Sequence, residues 1–169
     1  SSRPFQPKIL WEHVGQLGDL LGHKRLKWAG LGVAFFWFFG GFINLAAVQL
    51  AEELTGGRQG FGSEMAWFLA AASGGIVLGG VIGSVSCRRN IELGLVPIGC
   101  LLTSLGCVLM AMCSLDSIWL KVWMVCTGAG AAIFLVPLNA HVQDVCDPKK
   151  RGRILAGLNL LDCLAGALA

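Results

Sequence analysis

The residues able to do chemistry are few, and they interrupt long apolar runs. Asn44, Asn139, Asn159 and Asp162 stand among Ala, Leu, Ile, Phe and Gly, with His141 and Gln143 just beyond one such run. A lone ionised Asp near mid-bilayer costs ~2.5–3.5 kcal/mol on insertion scales, so Asp162 must face a cavity or a partner helix. Asn44, about two-thirds of the way along its run, has the same two options. Either residue can address a polar ligand, or bond a neighbouring helix. Asn139 follows Pro137, where a structural role beside a helix break is expected.

These groups form no catalytic constellation. His13 and Asp19 are six apart, as are His141 and Asp147, which misses the His-x4-Asp spacing of glycerolipid acyltransferases. Gly60-Phe61-Gly62-Ser63-Glu64 lacks the closing Gly of a nucleophile elbow. Three isolated His and no clustered carboxylates offer no metal site, and nothing implies a cofactor. The seven Cys contain no Cys-x-x-Cys pair and read as small buried hydrophobes. An enzyme is not expected.

The elements that must position the polar groups follow from composition. The 169 residues are 55% hydrophobic and only 14% charged, with a mean hydropathy of +0.69; soluble domains carry ~25% charged residues. Disorder, nucleic-acid binding and a secreted disulfide scaffold are excluded together. Apolar runs at 28–50, 65–86, 93–113 and 118–140 each suffice, at ~1.5 Å per residue, to cross a ~30 Å hydrocarbon core. A fifth, 154–169, reads as a truncated span. Period-two alternation is absent, so the backbone must satisfy itself within helices. The expected fold is all-α, a polytopic membrane helix bundle.

Glycine adds detail. Gly75, Gly79 and Gly83 fall at i, i+4 and i+8, and Gly128 to Ala132 is a second run of small residues. Such faces serve either close static packing or sliding.

Orientation comes from the cations. Residues 1–27 hold Arg3, Lys8, Lys24, Arg25 and Lys27; the loop at 87–92 holds Arg88 and Arg89; that at 143–153 holds Lys149, Lys150, Arg151 and Arg153. The opposite segments hold Arg58 and Lys121 alone. This alternation places residues 1–27, 87–92 and 143–153 in the cytoplasm. Trp67, Trp119 and Trp123 sit near expected outer ends and Trp28 near an inner one, as interfacial anchors. Within residues 1–27, Leu10, Val14, Leu17 and Leu21 recur at helical spacing among charges. That pattern predicts an amphipathic linker lying on the membrane surface.

Two loops carry a family likeness. Pro148-Lys149-Lys150-Arg151-Gly152-Arg153 resembles the Pro-x-x-x-Arg-Gly-Arg signature of major facilitator superfamily transporters, with two residues rather than three between the Pro and the first Arg. Gly83-Ser84-Val85-Ser86-Cys87-Arg88-Arg89-Asn90 resembles that superfamily's Gly-x-x-x-Asp-Arg-x-Gly loop, with Cys87 in place of the Asp and Asn90 in place of the second Gly. The strings Ile91 to Pro97, Val136 to Asp144 and Arg151 to Ala156 are similar to those of bacterial lysophospholipid transporters, which occur alone or fused to a glycerophospholipid acyltransferase.

The resemblance implies helices seven to eleven of a secondary transporter in the inner membrane, with a missing N-terminal half as partner. Its substrate would be a lysophospholipid, with membrane lipids around it and an acyltransferase, fused or separate, as a further partner. Asn44, Asp162 and Asn159 would contact the headgroup, and Phe35, Phe36 and Phe39 would line the acyl path. Arg88, Arg89, Arg151 and Arg153 would close or orient the cytoplasmic side. Asp162 departs from the Asn common in that stretch of the family. A drug or sugar exporter, or a non-transporting anchor for an acyltransferase, are the alternatives.

Overall fold

The computed structural model describes residues 24–56, 61–88, 91–115, 117–147 and 150–169, together with Gly15, Leu17, Gly18, Leu20 and Gly22. Five long helices follow one another: α1 (Lys24–Thr55), α2 (Phe61–Ser86), α3 (Leu95–Met112), α4 (Ile118–Val145) and α5 (Arg151–Ala167). No strand occurs among the described residues. Four helices, α1 to α4, are long and apolar enough to cross a membrane. Their outward faces are as apolar as their inward ones: Phe42, Leu78, Leu101 and Val108 are all exposed. A helix greasy on every side belongs in lipid rather than water.

Local chemistry sets the ends. α1 stops at Gly56, whose φ of +59° is the left-handed conformation that glycine adopts without a Cβ penalty. The Gly56 N–H donates back to the Glu52 carbonyl at 2.8 Å. α4 starts at Ser117, whose hydroxyl oxygen accepts the Trp119 N–H at 3.2 Å, an ordinary serine cap. Pro137 produces no break. α4 runs through it to Val145, although the proline has no N–H to offer the preceding turn. The half-buried Asn139 therefore lies on continuous helix.

α4 is the centre of the bundle. α2 packs along one side of it, α3 along another, and α1 also touches it, while α5 leans on α1. Lipid provides no hydrophobic drive between helices, so close backbone approach must hold them together. The glycines permit it. A Cβ on Gly75 or Gly79 would strike the α4 backbone at Val125 or Ala129, and one on Gly128 would strike Ala72 of α2. On the other side, a Cβ on Gly99 would lie 2.5 Å from the Phe134 nitrogen. The two small-residue runs thus meet each other in a close-packed seam.

Two apolar clusters show that successive helices run in opposite directions. One gathers Leu20, Leu26, Val33, Val142, Ile154 and Leu158, with Val96 packed against it. The other, at the far end, gathers Ala47, Ala51, Phe68, Leu120 and Met124. The first end carries Lys27, Arg88, Arg151 and Arg153, whereas Lys121 lies at the second. Arg58 and Arg89 fall outside the described residues.

Leu20 adds a residue to the apolar face of the leader. The pattern picked Leu10, Val14, Leu17 and Leu21; Leu20 is the fully buried residue, and Leu17 packs beside it. Leu10, Val14 and Leu21 fall outside the described residues. Leu20 is buried against residues of α1 and α5, Leu26 and Leu158 among them.

Candidate functional site

The site is built on one face of α1. Helical spacing brings Phe36, Phe39, Ile43 and Ala47 into line, and Phe35 stacks on Phe39 with ring centroids 6.3 Å apart. Phe36 meets Trp37 edge-on at 5.5 Å. Behind these rings lie two cavities. The first, about 200 Å³ between α1, α2 and α4, has Asn44, Ser73 and Thr127 as its polar members and Phe36, Phe39 and Phe68 among its walls. The second, about 340 Å³ between α1, α3 and α4, is lined by Phe35, Phe36, Phe39 and Phe134, with Cys100, Thr103, Ser104 and Cys107 facing them from α3. Phe36 and Phe39 border both cavities.

The polar groups differ in their freedom. The Thr127 hydroxyl donates to the Trp123 carbonyl at 2.9 Å, and Thr103 donates to the Gly99 carbonyl at 2.8 Å. Both donors are spent within their own helices, leaving oxygen lone pairs as acceptors. Asn44 retains an amide that can donate and accept. The first cavity can therefore hold a small polar group at membrane depth, and the second, with the Ser104 hydroxyl at one wall but aromatic carbon over most of the rest, can take hydrocarbon.

The structure divides the expected site residues. Asn44, Phe35 and Phe39 come together around the cavities. Asp162 does not line either cavity. It sits in the α1–α5 seam with the Trp37 side chain beside it, and its Oδ1 is buried without a partner. Asn159 is exposed on α5. Ser73 and Thr127 were missed, because a hydroxyl inside an Ala- and Gly-rich helix ordinarily bonds its own backbone and gives no separate signal.

At the cationic end, the Arg151 guanidinium donates to the Gln143 carbonyl at 2.5 Å. That contact satisfies an open carbonyl in the last turn of α4 and sets a positive charge at its negative pole. Burial pushes the Cys146 thiol up, and the Arg151 charge pulls it partly back. Arg88 and Arg153 are exposed at the same end. Among the described residues no group of His, Cys, Asp and Glu is placed to hold a metal ion.

A family model described as Major Facilitator Superfamily matches residues 2–169. No curated protein and no solved structure matches the chain. The match spans nearly all of the sequence, and the helices it covers form a bundle with four membrane-length members. The chain is a multi-pass membrane protein and belongs to the major facilitator superfamily, whose members are secondary membrane transporters.

Proposed function

We propose that the protein moves a lysophospholipid across a bacterial inner membrane by alternating access. One observation carries this reading: two mid-membrane cavities share the Phe36 and Phe39 rings, one holding the polar trio Asn44, Ser73 and Thr127, the other walled mainly by apolar groups. A lysophospholipid has one polar head and one chain. Asn44 takes the headgroup in the first cavity, while Phe35, Phe36, Phe39 and Phe134 take the acyl chain in the second. Asp162, on the other flank of α1, meets the headgroup in a later state of the cycle, and Asn159 stands one turn from it. The strings that resemble those of lysophospholipid transporters support the same substrate.

Transport then proceeds by rocking of helix bundles about this site. Residues 1–27, 87–92 and 143–153 face the cytoplasm in this reading, where Arg88, Arg89, Arg151 and Arg153 close or orient the inward side. The protein in proteoliposomes should move fluorescent lysophosphatidylethanolamine in a saturable way, with competition from unlabelled lysophospholipid. Competition by a sugar or a cationic drug, with none by lysophospholipid, would contradict the substrate.

A further inference from the structure

Where α2 and α4 begin, Glu64, Trp67 and Lys121 form a group that the transport reading does not use. Lys121 Nζ lies 3.4 Å from Glu64 Oε2, and both side chains stay about one-third exposed, at 33% and 34%. The same ammonium stands 5.9 Å from the centre of the Trp67 ring. Below the ion pair, the α2–α4 seam opens into a groove of about 510 Å³ walled by Ala70, Ala71, Val122 and Val125, with Ile118 at its mouth. Trp67 and Ile118, which line it, are exposed, as is Trp119 in the first turn of α4. Exposed tryptophans at the end of membrane-length helices mark headgroup depth. The small alanines leave room in the seam, and the groove below them is hydrocarbon-like.

The charges are only partly used. An ammonium has three donors and a carboxylate about four acceptor positions, so one contact leaves most of both open. Side by side, they present a fixed dipole at the membrane surface. A headgroup with a phosphate and a terminal ammonium is its complement: the phosphate accepts from Lys121, and the ammonium donates to Glu64 against the Trp67 face. A purely anionic headgroup would gain Lys121 but be repelled by Glu64. A free phosphate has no chain to fill the groove.

We propose that this groove binds a bilayer glycerophospholipid whose headgroup carries both a phosphate and a terminal ammonium, with an acyl chain lying along Ala70, Ala71 and Val125. The site is separate from the two central cavities and stands whether or not the transported substrate is a lysophospholipid.

Trp67 sits in the groove and can report occupancy. In a variant retaining Trp67 as its only tryptophan, nanodiscs doped with chain-brominated phosphatidylethanolamine or phosphatidylglycerol would be compared by quenching. The ethanolamine lipid should quench at about fivefold lower mole fraction. Glu64→Gln should abolish or reverse that preference by removing the repulsion, whereas Lys121→Met should weaken both lipids. Ala70→Leu should fill the groove and weaken both without changing their ratio. Helix content by circular dichroism would be checked for each variant. Equal quenching by the two lipids, a preference unmoved by Glu64→Gln, quenching by both lipids unmoved by Lys121→Met, or shielding of Trp67 by a second copy of the chain would overturn the proposal.

Discussion

Gly79→Ala should cost the bundle most of its stability, although it adds a single methyl group. The new Cβ would collide with the Ala129 carbonyl and would lie 2.7 Å from the Ala129 Cα. Backbone atoms cannot swing aside as a flexible side chain can, so α2 and α4 would have to part. Overpacking ordinarily costs ~1–3 kcal/mol, and here the seam itself is lost. Gly74→Ala is the matched control. It makes the same chemical change in the same helix, with nothing within 4 Å of the new atom, and should be neutral or stabilising by up to ~1 kcal/mol through helix propensity. Unfolding in detergent, followed by tryptophan emission, separates the two. Equal midpoints would show that the α2–α4 seam is not what holds the bundle.

The combined change Asn44→Leu and Ser73→Ala should slow lysophosphatidylethanolamine movement by about thirtyfold or more, as the loss of two buried polar contacts of ~1 kcal/mol or more each requires. Neither residue supports the fold through a long-range contact of the glycine kind. Asn44 lines its cavity from the exposed side of α1, and Ser73 is likewise exposed on α2. Helix content and monodispersity should therefore match those of the unaltered protein. Initial rates in proteoliposomes provide the measurement, and an unchanged rate would remove the headgroup role from this cavity.

What the sequence conveyed, and what it did not, divides along physical lines. Apolar run length is a property of the chain alone, so membrane-length helices were visible without any partner. The glycine runs at 75–83 and 128–132 were visible too, but not that they face each other, because a missing side chain records tolerance of approach and not what approaches. The central position of α4 was hidden for the same reason. Asn44 stood out as a costly amide in lipid. Thr127 did not, since its hydroxyl is satisfied by Trp123 one turn away. Asp162 announced a partner without naming it, and Trp37 is 125 residues distant in the chain. Leu20 was passed over because helical spacing allows more than one apolar face, and its partner Leu158 lies far along the chain.

The central claim is that a single-chain amphiphile sits against the aromatic face of α1. It is tested most directly by a lysophospholipid bearing a photoreactive group at the chain terminus. On irradiation, label should fall on the α1 stretch holding Phe35 to Phe39 and on the α3 stretch holding Cys100 to Cys107, suppressed by excess unlabelled lysophospholipid. Label spread over exposed faces such as those of Leu78 and Leu101, and insensitive to that competitor, would contradict it.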